Sequence, residues 1–245
     1  MKKAIVALAL TLFLLTWPGA AEKSDLVSLF AKVSPAVGAL YVRNSSGDLG
    51  FLCTVTAVDR DASRVVLLTA NHCVKKDVAY SVTFDGRSFY GARVWKIPHE
   101  DLDANKYPRT FGEPQTDMAF FVIDESPLPQ VPTVPLGSDE LMASGKRIAV
   151  VGFPLGVAKI SYEGIIAGRF NRPGSDTDGY LLIQAFGAPG SSGSAIIDEE
   201  TGSVVGVLVR ARQAAVGLPV IFATPIGYKK FLIEVPTTIQ HYGPK

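Results

Sequence analysis

Four prolines fall within the thirteen residues Glu125-Ser-Pro-Leu-Pro-Gln-Val-Pro-Thr-Val-Pro-Leu-Gly137, near the midpoint of a 245-residue chain. Proline fixes φ and donates no backbone hydrogen bond, so this stretch can be neither a helix nor a central strand. It reads as an extended linker over residues 125–138. Whatever the chain folds into is therefore built as two halves.

The halves share one texture. Ala36 to Val42, Phe51 to Val58, Val65 to Thr69, Ala79 to Phe84 and Met118 to Ile123 are short and rich in β-branched and apolar residues. Arg147 to Gly152, Ile160 to Arg169, Tyr180 to Gln184, Gly193 to Asp198, Ser203 to Val209 and Pro219 to Ala223 repeat the pattern beyond the linker. Clusters of Gly, Asp and Ser separate them, as expected of strands joined by turns. Gly (23) and Pro (16) are abundant enough to supply those turns. Helical spacing is confined to the flanks: Leu26, Val27, Leu29, Phe30 and Val33 near the start, with Ser24 or Asp25 as cap, and Tyr228, Phe231 and Leu232 near the end. The expected architecture is all-β, two packed β-barrels with a short N-terminal helix and a C-terminal helix. The divisions are a lead-in over 22–34, one barrel over 35–124, the linker over 125–138, a second barrel over 139–225 and a helix and tail over 226–245.

Residues 1–21 stand apart from this fold. Lys2 and Lys3 precede the 14 uncharged residues Ala4 to Trp17, and Pro18-Gly19-Ala20-Ala21 supplies small residues for cleavage. That is the pattern of a secretory signal peptide, and the run is short for a membrane span. Cleavage after Ala20 or Ala21 is expected. Losing Lys2 and Lys3 moves the formal net charge from +1 to −1. A near-neutral chain has no basic excess for neutralising phosphates, so nucleic acid is not an expected partner. Nor is stable membrane association expected once the signal is removed. In an exported chain the two cysteines, Cys53 and Cys73, read as either a disulfide or two buried thiols. Two cysteines without a CxxC spacing do not make a cysteine-rich zinc site.

Three segments carry candidate chemistry. His72 comes after the apolar run Val65-Val-Leu-Leu-Thr-Ala70 and precedes Cys73. A histidine held at a strand end suits base catalysis, and equally suits a structural cap. Thr116-Asp117 leads into the apolar run Met118 to Ile123. A carboxylate at such a border needs a partner, and either a histidine N–H or the strand's own backbone could serve. Gly187-Ala-Pro-Gly190-Ser191-Ser192-Gly193-Ser194-Ala195 is either a small-residue turn or a place where backbone N–H groups and a hydroxyl face a substrate together.

Taken together, the segments run in the order His, Asp, Ser, as in chymotrypsin-type enzymes. Leu68-Thr69-Ala70-Asn71-His72-Cys73 resembles the histidine motif of trypsin-like serine proteases. Asp117-Met118-Ala119 resembles their aspartate motif, and Pro189-Gly190-Ser191-Ser192-Gly193-Ser194 their serine motif. Val33-Ser34-Pro35-Ala36-Val37 and Ile221-Phe222-Ala223-Thr224-Pro225 look more like the bacterial high-temperature-requirement (Deg-type) branch. The resemblance spans about Lys32 to Glu234. It implies two six-stranded antiparallel barrels with the site in the cleft between them. It also implies a serine endopeptidase acting on polypeptides through an acyl-enzyme, with no metal or organic cofactor. Residue by residue, Ser192 matches the nucleophile, His72 the general base and acid, and Asp117 the residue that orients His72. The N–H groups of Gly190 and Ser192 match the oxyanion hole. Ser191 and Ser194 are rival hydroxyls, but Ser192 alone fits Gly-x-Ser-Gly. Cys53 and Cys73 match a disulfide that ties the strand before the histidine motif to the residue after the histidine.

The chain also departs from the pattern. Ser191 stands where trypsin has an Asp that pairs with a new amino terminus, so no trypsin-style zymogen switch is expected. Ser194 replaces the second Gly after the nucleophile, where its side chain is expected to crowd the turn. Phe186, six residues before Ser192, is expected near the pocket floor, with Val209 and Val220 on its walls. Such a pocket has no carboxylate and should favour small or aliphatic residues before the cut. Arg210 and Arg212 read as solvated edge charges. The sequence stops ten residues after Val235, so no PDZ domain is expected. The alternatives are an inactive member of the fold that binds peptides or a partner protein, and an esterase using the same three residues.

Overall fold

In the computed structural model of the protein, residues 25–44, 46–96, 117–170, 179–212 and 220–226 are described. The signal segment 1–21, His99, His241 and the C-terminal helical stretch from residue 227 onward lie outside them.

A short helix, α1 (Leu26–Val33), opens the described chain, and the side chain of Asp25 caps it by accepting from the Val27 N–H at 3.0 Å. The first barrel contains β1 (Val37–Arg43), β2 (Leu49–Arg60), β3 (Val65–Thr69), β4 (Ala79–Thr83), β5 (Tyr90–Lys96) and β6 (Ala119–Ile123). The second contains β7 (Arg147–Gly152), β8 (Ile160–Arg169), β9 (Leu181–Gln184), β10 (Ala195–Asp198), β11 (Val204–Arg212) and β12 (Val220–Pro225). Both sheets close, in the orders β1-β2-β3-β6-β5-β4 and β10-β11-β12-β9-β8-β7, with antiparallel neighbours throughout. Closure leaves no unpaired sheet edge among the described strands. No described helix is long and apolar enough to cross a membrane.

The buried side chains form one hydrophobic cluster that runs through both barrels. Leu40, Leu67, Leu68, Phe120 and Phe121 are among its largest fully buried members from the first barrel, and Ile148, Ile166, Leu181, Ile196 and Ile197 from the second. Successive strand residues point to opposite faces, so some of these line a barrel and others pack on its outside. Each such side chain contributes about 1.5–3 kcal/mol when fully buried. The proline-rich stretch crosses from one barrel to the other. Val134 N–H donates to Ala57 O of β2 at 2.9 Å, while Pro135 O accepts from Val204 N–H of β11 at 2.8 Å.

Ten of the eleven strands read from the sequence start and end within about two residues of the observed ones. The eleventh, Ser203 to Val209, continues three residues further, to Arg212. The segment Tyr90–Lys96 is a twelfth strand that the residue pattern did not single out.

Candidate active site

Register places two of the candidate residues at one barrel end. β3 and β6 are antiparallel neighbours, and Thr69 pairs with Ala119. The segment leaving Thr69 and the segment entering Ala119 therefore emerge side by side. Both strands are buried along their whole length, so the polar candidate residues fall where the strands end. Beyond Thr69 the chain makes a 3-10 turn, Asn71–Cys73, that presents His72. Asp117 grips this turn at two points. Its Oδ1 accepts from the His72 backbone N–H at 2.8 Å, and its Oδ2 lies 2.8 Å from His72 Nδ1. A carboxylate beside Nδ1 holds a proton there and leaves Nε2 as the acceptor. The His72 side chain is 44% exposed and that of Asp117 23%, so the pair sits at the protein surface with its acid on the inner side.

The Cys53–Cys73 disulfide is formed, with a Cα–Cα distance of 6.3 Å. It ties the His72 turn to the middle of β2. The His72 ring and both sulfurs lie within 4.8 Å of one another, but sulfurs committed to a disulfide cannot act as thiolate ligands.

Ser192 enters from the second barrel, in the loop between β9 and β10. Its carbonyl accepts from the N–H of Thr54, the residue after Cys53, at 2.9 Å. Ser192 and His72 are thus joined across the barrels by the link Ser192, Thr54, Cys53, Cys73, His72. The Ser192 residue is partly exposed, and its hydroxyl makes no hydrogen bond with another described residue. Around it the loop is tightly determined. Gly190 adopts φ +92° and Gly193 φ +86°. A Cβ at Gly193 would stand 2.1 Å from Thr54 O and 2.3 Å from Thr69 Oγ1, so only glycine fits. The N–H groups of Ala188, Ser191, Gly193 and Ser194 donate to Ser191 Oγ, Ala188 O, Leu208 O and Ser191 O respectively. Those of Gly190 and Ser192 donate to no described residue. Two neighbouring N–H groups without internal partners can receive a negatively charged oxygen.

Ser191 is fully buried, with its hydroxyl 3.3 Å from Ala188 N. Ser194 is also fully buried, and its hydroxyl packs beside Gly152 rather than distorting the turn.

The expected pocket residues are spread along one side. Gly187 packs against Ile221 and Ala211, so its loop lies along the β11–β12 hairpin that carries Val209 and Val220. Val209 is buried at a bulge between Leu208 and Arg210, whereas Val220, at the start of β12, is 39% exposed. Phe186 is 53% exposed and meets Tyr162 edge-on at 5.8 Å. With that exposure it is not a buried floor, because the loop after β9 carries it outward.

Two neighbours were not singled out from the sequence. Tyr180 is buried, and burial together with the nearby Asp117 charge pushes its phenol up to about 12, so it stays neutral beside the carboxylate. Thr54 is the other, a buried polar residue within a strand.

The comparisons with known proteins agree with this architecture. The chain is similar in structure to the HtrA-type protease AlgW with decapeptide (TM-score 0.63, 21% identity, 85% of this chain and 65% of that one). It is likewise similar to AlgW with tripeptide (TM-score 0.63, 21% identity, 86% and 64%). The chain thus spans less than two thirds of the length of each. No curated protein sequence matches it. The family model described as the trypsin-like peptidase domain matches residues 50–207. That span begins at the second strand of the first barrel and runs through the histidine turn, the aspartate and the serine loop, and on it the chain belongs to the trypsin-like peptidase domain family.

Proposed function

We propose that the protein is an exported serine endopeptidase that cleaves internal peptide bonds of polypeptide substrates. The observation that carries this is the arrangement at the barrel junction: His72 held at two points by Asp117, and across the junction a serine loop in which the N–H groups of Gly190 and Ser192 have no partner among the described residues.

The geometry supports a two-stage reaction. Asp117 keeps the Nδ1 proton on His72, so Nε2 takes the proton of Ser192 as its Oγ attacks the substrate carbonyl. The oxygen of that carbonyl becomes negative and is received by the Gly190 and Ser192 N–H groups, worth about 3–4 kcal/mol to the transition state. His72, now positive beside Asp117, returns the proton to the leaving amine and the acyl-enzyme remains. Water then enters and loses a proton to His72 as it attacks the acyl carbonyl, and His72 gives that proton to Ser192 Oγ as the Ser192–acyl bond breaks and the acid leaves. No step calls for a metal or organic cofactor. Small or aliphatic residues before the cleaved bond suit an apolar wall such as Val209. With Ser191 buried on its own loop and no carboxylate there to pair with a new amino terminus, removal of the signal is enough for activity.

Export is supported by the residues of the first 21 positions and by the disulfide, which persists in oxidising compartments.

Active-site labelling tests the proposal. A fluorophosphonate should label the mature, oxidised protein and leave Ser192→Ala unlabelled, and a peptide substrate should be cleaved by the wild type only. An unlabelled wild type would favour the peptide-binding alternative, and turnover of esters without peptides would favour an esterase.

A further inference from the structure

In the serine loop every carbonyl from Pro189 to Ser192 is occupied. Pro189 O accepts from Leu155 N–H at 2.6 Å and Ser191 O from Ser194 N–H at 3.0 Å. Ser192 O accepts from Thr54 N–H at 2.9 Å, and Gly190 O from the Thr54 hydroxyl at 3.1 Å. A peptide unit is planar, so fixing a carbonyl fixes the N–H on the other side of the same unit. The bonds to Pro189 O and Ser191 O therefore aim the Gly190 and Ser192 N–H groups directly. The two Thr54 bonds hold the units on the far side of each of those residues.

Only one of the four holds depends on a side chain, and that side chain comes from the other barrel. Thr54 is fully buried in β2. Its hydroxyl accepts from Phe153 N–H at 3.0 Å. A hydroxyl has a single proton, and with Phe153 supplying one incoming bond that proton is given to Gly190 O. Gly190 needs such a hold more than its neighbours do. At φ +92° and without a Cβ it has wide rotational freedom, and nothing in its own side chain restrains it.

We propose that Thr54 is a positioning residue for the oxyanion site: its hydroxyl, reaching from the first barrel, anchors Gly190 so that the Gly190 N–H stays turned toward the substrate carbonyl. The inference rests on the peptidase reading above. Thr54 touches neither the substrate nor the reacting atoms. It acts through the conformation of Gly190. It also couples the barrels, since its backbone N–H and hydroxyl both cross the junction to the same loop.

The test compares Thr54→Val, which keeps the branched shape and removes the hydroxyl, with Thr54→Ser, which keeps the hydroxyl. Both are assayed on a peptide anilide with Ala or Val before the cleaved bond. Thr54→Val should lower kcat roughly tenfold, less than the loss of an oxyanion donor itself. KM should change little, and affinity for a peptide aldehyde, whose adduct carries the charged oxygen, should fall by the same factor as kcat. Thr54→Ser should restore both. Wild-type kcat in Thr54→Val, or a matched rise in KM in its place, would overturn the proposal. So would a loss that Thr54→Ser fails to restore. If Thr54→Val and Thr54→Ala both fail to fold while Thr54→Ser folds, the hydroxyl is a requirement of the fold and the proposal falls. An active wild type with an indifferent Thr54 sinks this inference alone, whereas a wild type that neither labels nor cleaves sinks the peptidase reading with it.

Discussion

The hydroxyl of Ser194 occupies the space that a side chain on Gly152 would need: a Cβ added at Gly152 would stand 2.0 Å from Ser194 Oγ. The serine that breaks the usual Gly-rich run is therefore accommodated by a glycine on β7 of the same barrel. Its hydroxyl is buried and has no hydrogen-bond partner among the described residues.

This pairing predicts coupled stabilities. Gly152→Ala should cost about 1–3 kcal/mol through overpacking. Adding Ser194→Gly should recover much of that loss. Ser194→Ala alone should be neutral or stabilise by up to about 1 kcal/mol, since it removes an unpaired buried hydroxyl. Denaturant unfolding of Gly152→Ala, Ser194→Gly and the double variant measures the coupling, and simple additivity would refute it.

Asp117→Asn should keep the turn but lose the preference for a proton on His72 Nδ1. Turnover should drop by about 10⁴, with little effect on substrate binding. Steady-state kinetics on a peptide substrate, with a melting curve to verify folding, gives the answer.

The disulfide closes a loop with a sequence separation of 20 residues. Opening it by reduction or by Cys53→Ser with Cys73→Ser should cost about 3 kcal/mol. Activity should fall by more than the unfolded fraction explains, because the bridge also anchors the residue beside His72. Turnover measured with and without reductant, well below the melting temperature, separates the two effects.

Asp85, in the turn after β4, accepts from the N–H groups of Ser88 and Arg87 at 2.8 Å each. These bonds hold its carboxyl well down, from 3.8 to about 2. Because the folded value lies below the unfolded one, the contribution is present above pH about 4 and disappears as pH falls toward 2. Asp85→Asn should therefore flatten the acid side of the stability profile in that window. Unchanged acid unfolding in the variant would show that the turn does not contribute.

Much of this is legible in the residues themselves. β3 and β6 are runs of five residues, four and five of them apolar, and a run of that kind can only be buried; the motif residues His72 and Asp117 sit just beyond their ends. β5 is not legible. Tyr90, Ala92 and Val94 do alternate, but Gly91 and Arg93 dilute the pattern, and Arg93 is held by Asp124, 31 residues away. The position of Phe186 comes from counting back from Ser192, and a count carries no information about which way a loop turns. Thr54 looks like any β-branched strand residue, because its hydroxyl partners, Phe153 and Gly190, lie 99 and 136 residues away.

The run of strands along the chain and the division at the prolines are properties of neighbours a few positions apart, and the sequence alone determined them. The sequence also singled out His72, Asp117 and Ser192 as candidates, through their resemblance to a family's motifs. Which N–H groups stay free, which carbonyls are held and by whom was decided by the packing of one barrel on the other. Those contacts depend on register and closure of distant segments, which no local pattern encodes.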